Sequence, residues 1–484
     1  MCSEKRARST ARSSTGWDRA LGHTLSHGTP GRRRPRQSST GTMLSARDRW
    51  MRSLKRVLLS ASGQRTAVVL RNCNIEAALA RGGDVDVLSS AQLRIAEQLV
   101  RDLGTPMSVA FRSYVWSFFW KHGEVDILPR IEWRGAEYAC RHRVFVRATS
   151  APYGWLCASE VDQAVICWFS SLIWGAFYKE RYDALIMNVA RHSPDLLHAA
   201  LSCAVGRRWA EVLVELVRQE QAGRSVAYVR RLRRALWWRA FRRAPFATLA
   251  GWVRFWLAEI RLRLAAPVPW LAMLGLDGAG KSTVIQDLAN RLEHWPACKG
   301  VSIQHWRPGV VFSPGDSGPV TDPHGAPPRC GVSSVAKIIM IVADWSLGYT
   351  TRIANNLARN KVVLFDRHYV DLLVDPRRYR YGGPMWLARL VGRLVPKPDI
   401  FILLDLPAEV AHARKPEIEL AEARRLRERY LDLAREIGAH VVDASRPLDE
   451  VVAEVEEIIL DHMQRRTRAR LERLFPEPPG GAEP

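Results

Sequence analysis

Three groups of residues have the types and spacing to handle phosphate. Gly275, Gly280, Lys281 and Ser282 fit G-x-x-x-x-G-K-[ST], with Leu276, Asp277, Gly278 and Ala279 as the variable positions and Thr283 next. In that pattern glycines let backbone N–H groups turn onto phosphate oxygens, the lysine reaches the outer phosphates, and the hydroxyl is offered to Mg²⁺. Asp366 and Arg367 close an apolar run that begins at Val362. Their place is the carboxyl end of a buried strand, where parallel α/β sheets present reactive side chains. Asp84 and Asp86 stand two apart on a predicted strand and so share a face, which Asp126 on a neighbouring strand can join. Three convergent carboxylates make an Mg²⁺ site for phosphoryl or nucleotidyl transfer. The plainer alternative is a set of ordinary strand-end acids.

The elements that position these groups follow from periodicity. Trp270 to Leu274 reads as the strand before the glycine turn and Val284 to Leu292 as the amphipathic helix after it. Further strands at 301–306, 361–366, 398–405 and 438–445 alternate with helices, which predicts a parallel sheet. Short strands at 67–71, 84–88 and 123–128, followed by helices from 158 to 221, predict a separate α+β unit. The domains expected are a disordered basic tail at 1–51, an α+β domain at 52–222, a basic Trp/Arg-rich helical linker at 223–268, a phosphate-binding α/β domain at 269–463, and a flexible tail at 464–484. Residues 1–51 also suit a nucleic-acid arm, an organelle transit peptide or an over-extended start ahead of Met43 or Met51.

The formal net charge of +23 over 484 residues favours anionic partners. In the linker, arginines such as Arg230, Arg234, Arg242 and Arg254 interleave with Trp237, Trp238, Trp252 and Trp256, and Pro245 divides the stretch in two. Residues 226–264 can therefore lie on an anionic membrane, grip nucleic acid, or form an interdomain hairpin with tryptophans inside. Eight cysteines are scattered without paired spacing and read as reduced thiols of a cytoplasmic protein with no zinc site. No run of eighteen uninterrupted apolar residues exists; the longest, Ile166 to Phe177, reads as a core helix.

With Gly275 to Thr283, the further motifs Arg307-Pro-Gly309, Asp366-Arg367-His368, the strand from Pro398-Asp399 to Asp405 and the arginine at Arg414 make residues 269–463 resemble thymidylate kinase and its nucleoside-monophosphate-kinase relatives. The resemblance implies a five-stranded parallel sheet flanked by helices, with ATP and Mg²⁺ as cofactors. It puts Lys281 and Ser282 on ATP and metal, Asp277 near an acceptor sugar, Asp366 on metal or acceptor hydroxyl, and Arg367 on an acceptor phosphate. No arginine stands among positions 276–279, so a transition-state arginine must come from a lid around Arg414, with Arg424, Arg425 and Arg427 beyond it. The family's Ser/Ala-Tyr-Gln stretch is absent after Asp366-Arg367; Arg377, Arg378 and Arg380 with Tyr379 and Tyr381 suit an anionic or ring-bearing acceptor of another shape. More weakly, residues 60–220 resemble the nucleotidyltransferase superfamily through Asp84, Asp86 and Asp126. The Gly-Ser turn of that family is replaced here by Arg71-Asn72-Cys73-Asn74.

The reading expected is an ATP-dependent phosphotransferase acting on a nucleoside monophosphate or other small acceptor. Its alternatives are an ATP-binding regulatory module coupled to a degenerate nucleotidyltransferase-like domain, and active nucleotidyl transfer by the first domain. A peripheral place at the membrane and pairing of two copies stay open as expectations; a nucleic-acid partner is not expected.

Overall fold

The computed structural model describes residues 45–311, 327–329 and 331–476. The expectations for residues 1–44, for most of the Gly/Pro-rich stretch 312–331 and for the last eight residues lie outside the described residues. From Ser45 onward the chain is one compact unit.

Its first half is built on a mixed seven-stranded sheet. The strands are β1 (Ala67–Val69), β2 (Asp84–Ser89), β3 (Ser108–Phe111), β4 (Trp116–Trp120), β5 (Gly123–Leu128), β8 (Thr149–Ser150) and β9 (Leu156–Cys157), in the order β3-β4-β5-β2-β1-β9-β8. A separate hairpin pairs β6 (Ile131–Trp133) with β7 (Ala136–Ala139). Alternation along each strand sorts side chains by face. Val85, Val87, Val125 and Ile127 pack with Trp50, Leu54 and Leu99 from the helices Ala46–Gly63 and Gln92–Leu103. Asp84, Asp86, Glu124 and Asp126 therefore face the other way, with Asp86 opposite Asp126 across the β2–β5 ladder.

The second half is a parallel sheet of β10 (Trp270–Leu274), β11 (Val301–His305), β12 (Val362–Asp366), β13 (Ile400–Asp405) and β14 (His440–Asp443), in the order β11-β12-β10-β13-β14. Every pairing is parallel, so all five carboxyl ends point the same way. Uninterrupted apolar strands such as Trp-Leu-Ala-Met-Leu are buried throughout because helices cover both faces. The chain returns to the strand just left of β10 only after building β11 outside it, which leaves a crevice at the tips of β10 and β12.

Four expectations need correction. Order begins before residue 52: Ser45 caps the helix Ala46–Gly63 by accepting the Asp48 N–H, and Trp50 and Met51 are buried in it. Residues 464–474 are not a loose tail, because the helix Leu448–Leu474 runs on and buries Thr467 and Leu471 against the first half. Cys73 and Cys157 are joined in a disulfide that ties the turn after β1 to β9, so the cysteines are not all free thiols. The most apolar long helix is 331–358, not 166–177. It is long and apolar enough to cross a membrane, and scanning for an unbroken run missed it because Lys337 and Asp344 interrupt it. Ile338, Ile341 and Trp345 on it belong to the core of the second half.

Pro245 does divide the linker: the helix Val229–Arg243 ends before it and Pro245–Leu264 starts on it. The second helix presses its Gly251 onto Gly135 at the β6–β7 turn, where a Cβ on either would lie 2.5–2.6 Å from backbone. Only glycine permits that approach, and Gly135 also has φ +86°. Gly251→Val should cost about 1–3 kcal/mol by forcing helix and hairpin apart, read as a lower denaturation midpoint in urea; an unchanged midpoint would show that the contact is not tight.

Candidate active site

The glycine turn 275–280 links β10 to the helix Lys281–Leu292. A Cβ on Gly278 would sit 2.5 Å from the carbonyl of Ala411, so the helix Ala408–Arg414 rests directly on the turn. The Lys281 ammonium is curled into the turn, donating to the carbonyls of Gly275 (3.0 Å) and Leu276 (2.8 Å). It is buried, which lowers its pKa to about 8; Arg367 adds to the effect, and Asp277 and Asp366 oppose it.

Asp366 at the tip of β12 meets the turn from the side. The Ser282 hydroxyl donates to its Oδ2 at 3.0 Å. Its Oδ1 is buried without a hydrogen-bond partner among the described residues. Burial works against its charge, yet His305, whose Nδ1 lies 3.8 Å away, and the charges of Lys281 and Arg367 hold the carboxyl at about 2. An ionised carboxylate with one unused buried oxygen beside a hydroxyl is a hard oxygen set that fits Mg²⁺.

Arg367 follows with φ +76°, a conformation rare outside glycine, fixed by its N–H donating to the Met273 carbonyl at 3.0 Å. Its buried guanidinium is shared among Asp277, Asp371 (3.1 Å) and the Tyr430 hydroxyl (3.2 Å). Asp371 is itself fully buried and accepts from the Tyr430 hydroxyl at 2.7 Å and the His368 N–H at 2.8 Å. Arg378 pairs with the second oxygen of Asp277. Asp277 thus stands among Arg367, Lys281 (3.9 Å) and Arg378, and those charges overcome its burial to keep it well below the usual carboxylate range.

Beside this cluster Trp306 stacks on Tyr379, ring centroids 4.6 Å apart and planes 19° off parallel. Trp306 Nε1, Arg307 Nη1 and Tyr379 Oη are buried without hydrogen-bond partners among the described residues. The Arg307-Pro-Gly309 turn is pinned from behind by Asp344. That carboxylate accepts the N–H groups of Gly309 (2.9 Å), Val310 (2.6 Å) and Val311 (2.8 Å). On the lid side, Arg424 pairs with Glu409, Arg425 with Glu422, and Arg427 grips Asp405 through both oxygens. Arg414 is exposed and has no ion-pair partner among the described residues, so it alone of the four arginines is unpaired.

Sequence reasoning reached the turn, Asp277, Asp366, Arg367 and Arg378. It missed Asp371, Tyr430, Asp344 and His305. A lone carboxylate in the apolar helix 331–358 was a readable sign, because such a group must be buried against donors.

In the first half, Asp84, Asp86 and Asp126 bring one oxygen each within 4.8 Å of one another. Arg71 stands among them, with its guanidinium on Asp86 and 3.0 Å from Asp84. Burial raises the Asp126 carboxyl well above its ordinary value, with Glu124 and Asp86 adding to it. The nearby Glu124 is paired with Lys299 from the second half.

Comparison with known proteins shows what the chain is similar to. A thymidylate kinase family profile matches residues 331–455. A probable thymidylate kinase of Pyrobaculum aerophilum is 30% identical over 208 residues, covering 39% of this chain and 95% of that protein. The chain belongs to the thymidylate kinase family. Another probable thymidylate kinase, from Archaeoglobus fulgidus, is 29% identical over 196 residues, 39% of this chain and 93% of its own. The thymidylate kinase of Xanthomonas campestris pv. campestris is 27% identical over 210 residues, 41% of this chain and 86% of its own. Membership in the thymidylate kinase family supports a nucleotide-kinase type of phosphotransferase, carried by roughly the carboxy-terminal 40% of the chain.

The depressed Lys281 pKa gives a pH dependence with a definite sign. A bound triphosphate favours the charged ammonium, which the free protein holds only below about pH 8. Affinity for ATP measured calorimetrically should therefore be flat from pH 7 to just below 8 and weaken about tenfold by pH 9. Lys281→Gln should bind weakly with no such slope; a wild-type affinity constant across the range would contradict the role given to Lys281.

Proposed function

We propose that residues 269–463 transfer the γ-phosphoryl group of ATP to a phosphorylated, ring-bearing small acceptor, a nucleoside monophosphate being the nearest class. The observation that carries this reading is Asp277, which stands between the triphosphate lysine and two arginines of the second ligand's side. The glycine turn and Lys281 would cradle the β- and γ-phosphates, and Ser282 and Asp366 would hold Mg²⁺. When bound, that ion neutralises phosphate charge and helps align the groups in line.

The remaining steps fall to the chain's own residues. Arg367 is saturated by Asp277, Asp371 and Tyr430, so it positions Asp277 and does not reach outward. The backbone of Arg378 is anchored by its N–H donating to Asp375 at 3.1 Å, while its guanidinium pairs with Asp277 and is the group that would exchange that partner for an acceptor phosphate. The Trp306–Tyr379 stack, whose Nε1 and Oη lack hydrogen-bond partners among the described residues, supports a ring that brings its own hydrogen-bonding edge. In transfer, an oxygen of the acceptor's ionised phosphate forms the new P–O bond while the γ-phosphorus to β–γ bridging-oxygen bond breaks toward ADP, so that no proton has to be removed from the acceptor. Arg414, unpaired on the helix resting against Gly278, would close over the spreading charge of the transferred group.

A second reading, an ATP-responsive module controlling a degenerate nucleotidyltransferase-like domain, is favoured by one observation. Arg71 already supplies positive charge to Asp84 and Asp86, which makes an Mg²⁺ ion there redundant. Active nucleotidyl transfer by that domain is the weaker alternative for the same reason. Pyrophosphate release from any nucleoside triphosphate that is lost in Asp86→Ala would reverse that order.

ADP release should be screened over nucleoside monophosphates and phosphorylated sugars. With the productive acceptor, Lys281→Ala should lower kcat by about a thousandfold or more. Arg378→Gln should raise the acceptor KM with little change in the KM for ATP. Undiminished turnover in Lys281→Ala would reject the assignment, and ATP binding without turnover on any acceptor would favour the regulatory reading.

A further inference from the structure

The helix Pro245–Leu264 is built inside out. Thr248, Gly251, Phe255 and Leu262 face the protein, as a packed helix requires. The opposite side is apolar as well: Phe246, Leu249, Val253, Leu257, Ile260 and Leu264 recur every three or four residues and so form one row. Phe246 is 86% exposed and Leu264 77%. Together with Trp252 and Trp256, both exposed, they form a contiguous apolar face, which marks an interaction surface where singly scattered apolar residues would not. The row runs the length of the helix, about 30 Å.

What flanks the row indicates what covers it. At 100° per residue, Trp252 and Trp256 border it on one side, and Arg254 and Arg261 on the other. Among the described residues neither arginine has an ion-pair partner. On the arginine side opens a cleft of about 650 Å³ between this helix, the β3–β4 turn and the end of the helix Leu448–Leu474. Its lining includes Arg112, Arg254, Arg261 and Arg470 beside Trp116 and Leu257, and contains no carboxylate. Arg112 and Arg470 are held in place by donating to the carbonyls of Ala358 and Val109. The preceding helix ends with Arg242 and Arg243, both exposed.

We propose that this face lies on an anionic membrane surface, with the apolar row in the boundary between headgroups and acyl chains and a lipid headgroup phosphate in the arginine cleft. An apolar centre, tryptophans at its border and arginines at its flank are what a helix lying in the interface needs. A protein partner would be expected to bring carboxylates to four arginines in a specific geometry. A lipid phosphate needs only the positive field, and its chains would meet Trp116 and Leu257, which also line the cleft. The kinase site lies on other elements, so this surface places the enzyme without entering its chemistry.

The test is flotation of the full chain with vesicles of pure phosphatidylcholine and of equal parts phosphatidylcholine and phosphatidylglycerol. Binding is expected only to the anionic vesicles, weaker at high salt, with quenching of tryptophan fluorescence by brominated acyl chains. Arg254→Gln with Arg261→Gln should weaken it about thirtyfold, from the usual attraction of two basic residues to an anionic surface. Val253→Asp with Leu257→Asp should abolish both flotation and quenching. All four positions are exposed, and unchanged circular dichroism together with solution ADP release will show that the variants fold. Absence of flotation with either vesicle would overturn the proposal. So would concentration-dependent dimerisation, lost in the aspartate variant, which would give the face to a second copy. Binding indifferent to the arginine pair would remove the headgroup cleft.

Discussion

Asp277 is the constraint on which the carboxy-terminal half depends. A glycine turn before a helix attracts anions wherever it occurs, but here the turn carries its own carboxylate. That carboxylate is shared by Lys281 on the nucleotide side and by Arg367 and Arg378 on the other. Taking so many charges out of water is tolerable only when each is answered. Asp371 and Tyr430 complete the answer for Arg367 from beneath. The result is a buried charge network that holds β12 and the loop after it in register with the phosphate turn. Within it the Arg378 guanidinium pairs with Asp277, whereas Arg367 is shared among Asp277, Asp371 and Tyr430.

The two halves solve the same electrostatic problem in different ways. Each gathers carboxylates: Asp84, Asp86, Glu124 and Asp126 on the strands of one sheet, and Asp366 at a strand tip with Asp371 and Asp277 from the helix and turn beside it in the other. In the kinase half Asp366 keeps a buried oxygen unused, which suits a metal that comes and goes with nucleotide. In the first half Arg71 and Lys299 fill that need permanently, and Lys299 does so across the boundary between the halves. The turn Arg71-Asn72-Cys73-Asn74, where a glycine-rich phosphate grip would stand, is fastened to β9 by the Cys73–Cys157 bond.

How much of this could be read beforehand follows from which forces are local. The parallel sheet, its five strands and the phosphate turn were legible because apolar runs and glycine spacing are local signals. The facing of Asp84 and Asp86 was legible because strand alternation is local too. Partners distant in sequence were not: Arg367 with Tyr430, Asp344 with the 309–311 amides, and Arg71 with Asp86 depend on packing that no short window contains. The helix at 46–63 was hidden by the arginine-rich stretch before it, although Ser45 and Asp48 spell an amino-terminal cap. The outward row on Pro245–Leu264 was visible only as mixed Trp and Arg. Its direction is fixed by Gly251 against Gly135, a contact no periodicity announces.

The claim that a triphosphate and a second ligand share one crevice across Asp277 is tested most directly by hydrogen–deuterium exchange on the full chain with and without Mg²⁺ and a non-hydrolysable ATP analogue. The account predicts that nucleotide protects both the turn at 275–283 and the segment 366–380 on the acceptor side, since the two are joined through Asp277. Protection confined to 275–283, with 366–380 exchanging as in the free protein, would contradict it.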